Sequence, residues 1–243
     1  MRKTPKYFIP NIITLANMFL GFLAIALIIN EKPLNAGVVI LFAGMLDVFD
    51  GKIARMLGIT SRFGAEFDSM ADTISFCAAP SILIYHMYVD GLHPFLGLII
   101  SFMPLMFGTI RLAKYNVEKN IIDKNKYTYG LTTPVAAITL FSYLYFNYQI
   151  DGSYGDPRTA LMLVAATSIL MISPIHFAKF PVLSFKYGRS NSILLIIFIL
   201  STLGIIWQSG LFLFPVTLLF IGWNIMHWLL HPQKDNLHTK INR

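Results

Sequence analysis

The chain is poor in charge and nearly devoid of cysteine. Of its 243 residues only 13% are charged, and one cysteine, Cys77, occurs. A single thiol excludes an intramolecular disulfide and any cysteine-based metal cluster, so Cys77 reads as a small packing residue. So little charge is wrong for a soluble domain. Internal repeats and low-complexity tracts are absent too, which leaves one domain as the expectation. Acidic residues are scarcest, 12 against 19 Lys and Arg, for a net charge of +7.

What is abundant is oil. Hydrophobic residues make up 56% of the chain, and the mean hydropathy is +0.63, the balance of a polytopic membrane protein. Apolar runs of roughly 20 residues fall at 11–30, 34–56, 65–89, 93–115, 132–149, 158–176, 191–207 and 211–230. With the N-terminus cytoplasmic, the inside segments collect 17 of the 19 basic residues, and only Lys32 and Arg158 fall outside. The positive-inside rule is thereby satisfied. The expected fold is an all-α, polytopic membrane bundle of about eight transmembrane helices with both termini cytoplasmic. Turn residues at Pro10, Pro33, Gly91, Pro94, Asp151-Gly152, Pro157 and Ser209-Gly210 punctuate the span edges. Tyr7, Tyr115, Tyr148, Trp207 and Trp228 suit interfacial belts. The first run is too long for a signal-peptide core and reads as a retained helix. The positive charge is topological bias plus attraction to anionic lipid, not a nucleic-acid surface.

Against this background, four aspartates sit in two predicted spans: Asp47 and Asp50, then Asp68 and Asp72. A carboxylate at the centre of a membrane helix costs about 2.5–3.5 kcal/mol on insertion scales, so four together imply a site. Residues three or four apart share a helix face, and the connector 56–63 is short enough to set the two helices antiparallel. All-oxygen ligands select hard cations, Mg²⁺, Mn²⁺ or Ca²⁺. Four negative charges balance two such ions, an arrangement suited to clamping a diphosphate during in-line displacement. Gly51, Ala54 and Gly64 permit close approach of a headgroup, and Lys52, Arg55 and Arg62 place positive charge near phosphate.

The array Asp47-x2-Asp50-Gly51-x2-Ala54-Arg55-x8-Gly64-x3-Asp68-x3-Asp72 resembles the complete motif of the CDP-alcohol phosphotransferases. The resemblance implies that Asp47, Asp50 and Asp68 bind a divalent metal pair (Mg²⁺ or Mn²⁺) and the CDP diphosphate, with Asp72 also in the metal set and acting as base toward the acceptor alcohol. It implies that Gly51, Ala54, Arg55 and Gly64 help hold the CDP-lipid. Flanking stretches resemble the phosphatidylserine synthase branch: Pro10-Asn11-Ile12-Ile13-Thr14-Leu15-Ala16-Asn17, Phe67 to Phe76 with Ala79-Pro80, Arg111-Leu112-Ala113-Lys114-Tyr115-Asn116, and Gly130-Leu131-Thr132-Thr133-Pro134. Glycerol-phosphate-using relatives carry Arg where this chain has Asn17, and the branch's proline is replaced by Thr132. The likeness spans residues 7 to about 140 and hardly touches the last two helices. It implies a core over 1–190, two added helices over 191–230, a polar tail over 231–243, and a homodimer.

Serine carries a carboxylate and an ammonium, and Arg111 and Asn116 are the candidates to bind it. The expected reaction transfers phosphatidyl from CDP-diacylglycerol, or an ether-lipid equivalent, to L-serine with release of CMP. Glycerol phosphate, inositol phosphate or a polyol are alternative acceptors. A cation transporter with an acidic site is the alternative from another class. Lys179, Lys186 and Arg189 read as topology charge, and His227 with His231 as interfacial residues rather than a metal pair.

Overall fold

The computed structural model describes residues 8–56, 61–122, 127–178 and 210–230. Within these ranges the described side chains exclude those of residues 8, 9, 50, 52, 54–56, 118–122 and 127. Of the described residues, 84% are helical. Helix α1 (Phe8–Ile29) and α2 (Pro33–Met56) form an antiparallel hairpin. Their turn is closed by Glu31 in the left-handed region (φ 57°), with Lys32 N–H donating to Leu27 O at 2.8 Å. The chain then rises through α3 (Arg62–Asp72), a π-helical segment (Thr73–Ala78) and α4 (Ala79–Tyr88) as one continuous rod. Helix α5 (Pro94–Ile122), strand β1 (Tyr127–Tyr129), α6 (Thr133–Asp151), α7 (Pro157–Ile172), strand β2 (His176–Ala178) and α8 (Leu213–Leu230) follow.

Counting the 62–88 rod once, seven helices lie among the described residues. Three are long and apolar enough to cross a membrane, over Pro10–Ile29, Pro94–Val117 and Leu213–Leu230, and Pro33–Phe49 and Pro157–Ile172 are shorter apolar helices. Large apolar side chains face outward: Ile12, Leu15, Phe19 and Phe22 make one stripe on α1, and Leu219, Trp223 and Met226 another on α8. Such stripes would be a liability in water and suit a lipid surround. The inside is packed by Ala24, Ile28, Ile40, Phe76, Leu83, Phe141, Leu144 and Val164, with a second cluster of Leu131, Met171, Phe177 and Ile221.

Helix α1 is the element that packs against both α2 and α3. It runs parallel to the 62–88 rod: Gly64 lies near Asn11, Asp72 bonds Asn17, and Ser75 meets Gly21. A methyl group on Gly21 would run into Ser75 Oγ and stand 2.6 Å from Ser75 Cα, so backbones touch there. Ser75 Oγ donates to the Asn17 carbonyl at 2.9 Å, fixing the same register. On the rod's other side, Gly108 of α5 makes room for the Cys77 side chain. Pro104 interrupts the α5 ladder, and the neighbouring Leu105 N–H donates to Ser81 Oγ on α4 at 3.0 Å.

Three expectations change. The sixth span stops at Ile172 rather than 176, because Ser173 precedes Pro174 and takes an extended conformation (ψ 154°). Residues 176–178 instead pair antiparallel with 127–129, Thr128 opposite Phe177 and Tyr129 opposite His176. The fourth helix runs on to Ile122, so part of the polar stretch 116–129 is helical. The predicted span 191–207, Lys179, Lys186, Arg189 and the tail lie outside the described residues.

Candidate active site

Asp47 near the end of α2 and Asp68 and Asp72 on α3 converge, each offering a carboxylate oxygen, all within 4.8 Å of one another. Asp68 and Asp72 are one helical turn apart and so share a face. Asp72 is 7% exposed, at the boundary where the π-helical segment begins, while Asp47 and Asp68 are half-buried. The hydroxyls of Ser69 and Thr73 bond back to Ala65 O and Ser69 O around this turn. An all-carboxylate set at this separation fits a hard divalent cation, since it supplies oxygen donors and negative charge and nothing softer. The backbone at Asp50, Ala54 and Arg55 belongs to α2, but their side chains lie outside those described, so the fourth aspartate is not placed.

The remaining sequence candidates are distributed unevenly around this cluster. Gly51 is half-buried one turn beyond Asp47. Gly64 opens α3: its N–H donates to Ser61 Oγ at 2.9 Å, so Ser61 caps the helix. A methyl group there would crowd that same oxygen at 3.1 Å. Arg111 on α5 lies within Coulombic reach of both Asp72 and Asp47, and its Nε is buried without a hydrogen-bond partner among the described residues. Asn116, one turn further on, donates to Ser69 Oγ at 2.9 Å and to Glu66 Oε2 at 3.4 Å, bracing α5 against α3.

Two features escape a reading by motif. Asn17, fully buried on α1, donates through Nδ2 to Asp72 Oδ1 at 3.4 Å. The sequence signals this position only as a missing arginine. A small open cleft also lies beside Arg111, walled by Lys114, Tyr115, Tyr129, Met171 and Ser173. Tyr129 and His176, edge to face with centroids 4.9 Å apart, come from the two short strands, and no sequence pattern of three residues announces such a ladder.

Comparison with known proteins bears on this arrangement. The family model described as CDP-alcohol phosphatidyltransferase matches residues 7–228. A CDP-diacylglycerol–serine O-phosphatidyltransferase of Helicobacter pylori (strain ATCC 700392 / 26695) is 30% identical over 227 residues, 93% of this chain and 92% of the relative. One from Bacillus subtilis (strain 168) is 34% identical over 188 residues, 76% of this chain and 99% of the relative. An archaetidylserine synthase of Methanothermobacter thermautotrophicus is 32% identical over 173 residues, 70% of each chain.

Proposed function

Because the chain belongs to the CDP-alcohol phosphatidyltransferase family, a family of phosphotransferases, we propose that it transfers a phosphatidyl group from a CDP-linked diradyl lipid to L-serine and releases CMP. The observation that carries the reading is the meeting of Asp47, Asp68 and Asp72 within 4.8 Å with Arg111 in reach. The names of relatives that use serine support the acceptor. Their ester- and ether-lipid versions leave the donor as CDP-diacylglycerol or a CDP-archaeol-type lipid.

Asp47, Asp50, Asp68 and Asp72 are assigned to a divalent pair, Mg²⁺ or Mn²⁺, with Gly51, Ala54, Arg55, Gly64 and Asp68 to the CDP-lipid. Cations held there would neutralise charge building on the leaving CMP. Asp72 takes the proton of the serine hydroxyl as that oxygen attacks the lipid-side phosphorus, and the phosphoanhydride bond to CMP breaks. Its burial excludes bulk water that would otherwise compete as the acceptor. Arg111 holds the serine carboxylate. Asn116 is the weaker acceptor residue, since its amide is already committed to Ser69 and Glu66. Both termini and this site are assigned to the cytoplasmic side of the cell membrane, with residues 1–190 as the catalytic core, 191–230 as added helices, and a homodimer as the working unit.

The test is CMP release by purified protein given CDP-diacylglycerol and Mg²⁺ or Mn²⁺, with and without L-serine. Serine-dependent CMP that disappears in Asp72→Asn, with CDP-lipid binding retained, is the expected result. Release with glycerol phosphate or inositol phosphate but not serine would overturn the acceptor assignment.

A further inference from the structure

Two buried polar atoms lack partners among the described residues, one on a side chain bonded to Asp72 and one on a side chain in Coulombic reach of it, and they are of opposite kind. Arg111 Nε is a donor and Asn17 Oδ1 an acceptor. The orientation of the Asn17 amide is fixed by chemistry: reversing it would set its oxygen against the Asp72 carboxylate, acceptor against acceptor. The Nδ2 therefore faces Asp72, and Oδ1 is left in a fully buried setting with nothing to accept from. Buried polar atoms are nearly always satisfied, and an exception beside a reaction centre points to a ligand group. Arg111 Nε can donate one more charge-assisted hydrogen bond, and its side chain lines the open cleft.

We propose that Asn17 is a specificity-determining residue that accepts a hydrogen bond from the ammonium of the acceptor. This rests on the serine reading above and deepens it. The hydroxyl goes to Asp72, the carboxylate to Arg111 and the ammonium to Asn17 Oδ1. A zwitterion satisfies both orphaned atoms and adds no net charge beside three carboxylates. An alcohol without an ammonium leaves Asn17 Oδ1 unmet, and one without an anion leaves Arg111 Nε unmet. A site that has lost a hydrogen bond to a charged group discriminates by about tenfold or more.

The experiment measures kcat/KM for L-serine, L-glycerate (no ammonium) and ethanolamine (no carboxylate) in wild type and in Asn17→Leu and Asn17→Asp, with CDP-lipid binding checked for each protein. In wild type, serine should exceed glycerate by at least about tenfold. Asn17→Leu should raise KM for serine about tenfold and change glycerate far less, so the serine-to-glycerate ratio collapses. Asn17→Asp sets a carboxylate against Asp72 and should lower turnover with every acceptor, but it should keep that ratio or raise it, because a carboxylate attracts the ammonium and repels glycerate. A wild type that uses glycerate as well as serine overturns the proposal even if both variants fail to fold. An equal loss for all three acceptors in a folded Asn17→Leu also overturns it, leaving Asn17 only to orient Asp72. Wild type without any serine-dependent turnover is the separate failure of the serine reading, and is seen without recourse to a variant.

Discussion

Three carboxylates gathered within 4.8 Å must destabilise the protein whenever no cation is bound, and the size of that penalty is calculable. At an effective dielectric of about 20, each pair at that separation repels by about 3.5 kcal/mol. Neutralising one aspartate removes two of the three pairs, about 7 kcal/mol before any compensation. Arg111, in reach of Asp47 and Asp72, offsets part of the field. We therefore expect Asp47→Asn or Asp68→Asn to gain about 2–3 kcal/mol in metal-free protein, or roughly 5–10 °C in Tm for a chain of this length. The same variants should lose most of the stabilisation that Mg²⁺ or Mn²⁺ confers on wild type, and with it the activity. Thermal melts of detergent-solubilised protein in EDTA and across a metal titration measure both quantities. Variants that melt lower than wild type in EDTA, yet still respond to metal, would refute the reasoning, because the carboxylates would then be structural partners rather than a mutually repelling cation site.

Other outcomes follow from backbone contacts. Gly21→Ala drives a methyl group into Ser75 backbone and should cost about 2–3 kcal/mol by thermal melt, with turnover falling further because the α1 register that carries Asn17 shifts. Gly130→Ala faces both a left-handed φ of 71° and a clash with the Met171 carbonyl. It should cost about 3 kcal/mol or abolish expression of folded protein. Glu31→Asn, at the exposed turn with φ 57°, should raise stability by about 0.5 kcal/mol, since Asn tolerates that region better, and should leave turnover unchanged.

The aspartate site is legible because its information is local. Asp47 and the Asp68–Asp72 pair announce themselves by spacing on one helix face and by the cost of acid in an oily run. Helices α1, α2, α5, α6 and α8 follow from apolar length and from Pro and Gly punctuation. Pro174 could also have ended the sixth span at its observed place, but the apolar run through Ile175 masked it. The β1–β2 ladder could not be read: its strands have three residues each, lie far apart in sequence, and carry no alternation long enough to register. Nor could Asn17's partner, since a contact across 55 positions depends on the parallel register of α1 with the 62–88 rod. That register is set by glycine and serine contacts, which have no periodic signature.

That register explains why an oily helix carries Thr14, Asn17 and Gly21 on the face opposite Ile12, Leu15, Phe19 and Phe22. The inner residues are buried, Thr14 bonding Pro10 O, Asn17 bonding Asp72, and Gly21 admitting Ser75. The outer ones are apolar and exposed. Lipid and protein interior are equally apolar, so the hydrophobic effect gives α1 no preferred face, and hydrogen bonds and close packing must orient it. The polar inner stripe does this and in the same stroke brings an amide to Asp72. The π-helical segment begins one residue after Asp72 and includes Ser75, the residue that Gly21 admits. A wider turn at this point lets the rod meet α1 at Ser75 while Asp72 still faces Asp47 and Asp68. Orientation of α1 and orientation of the proposed base are thus set by one set of contacts.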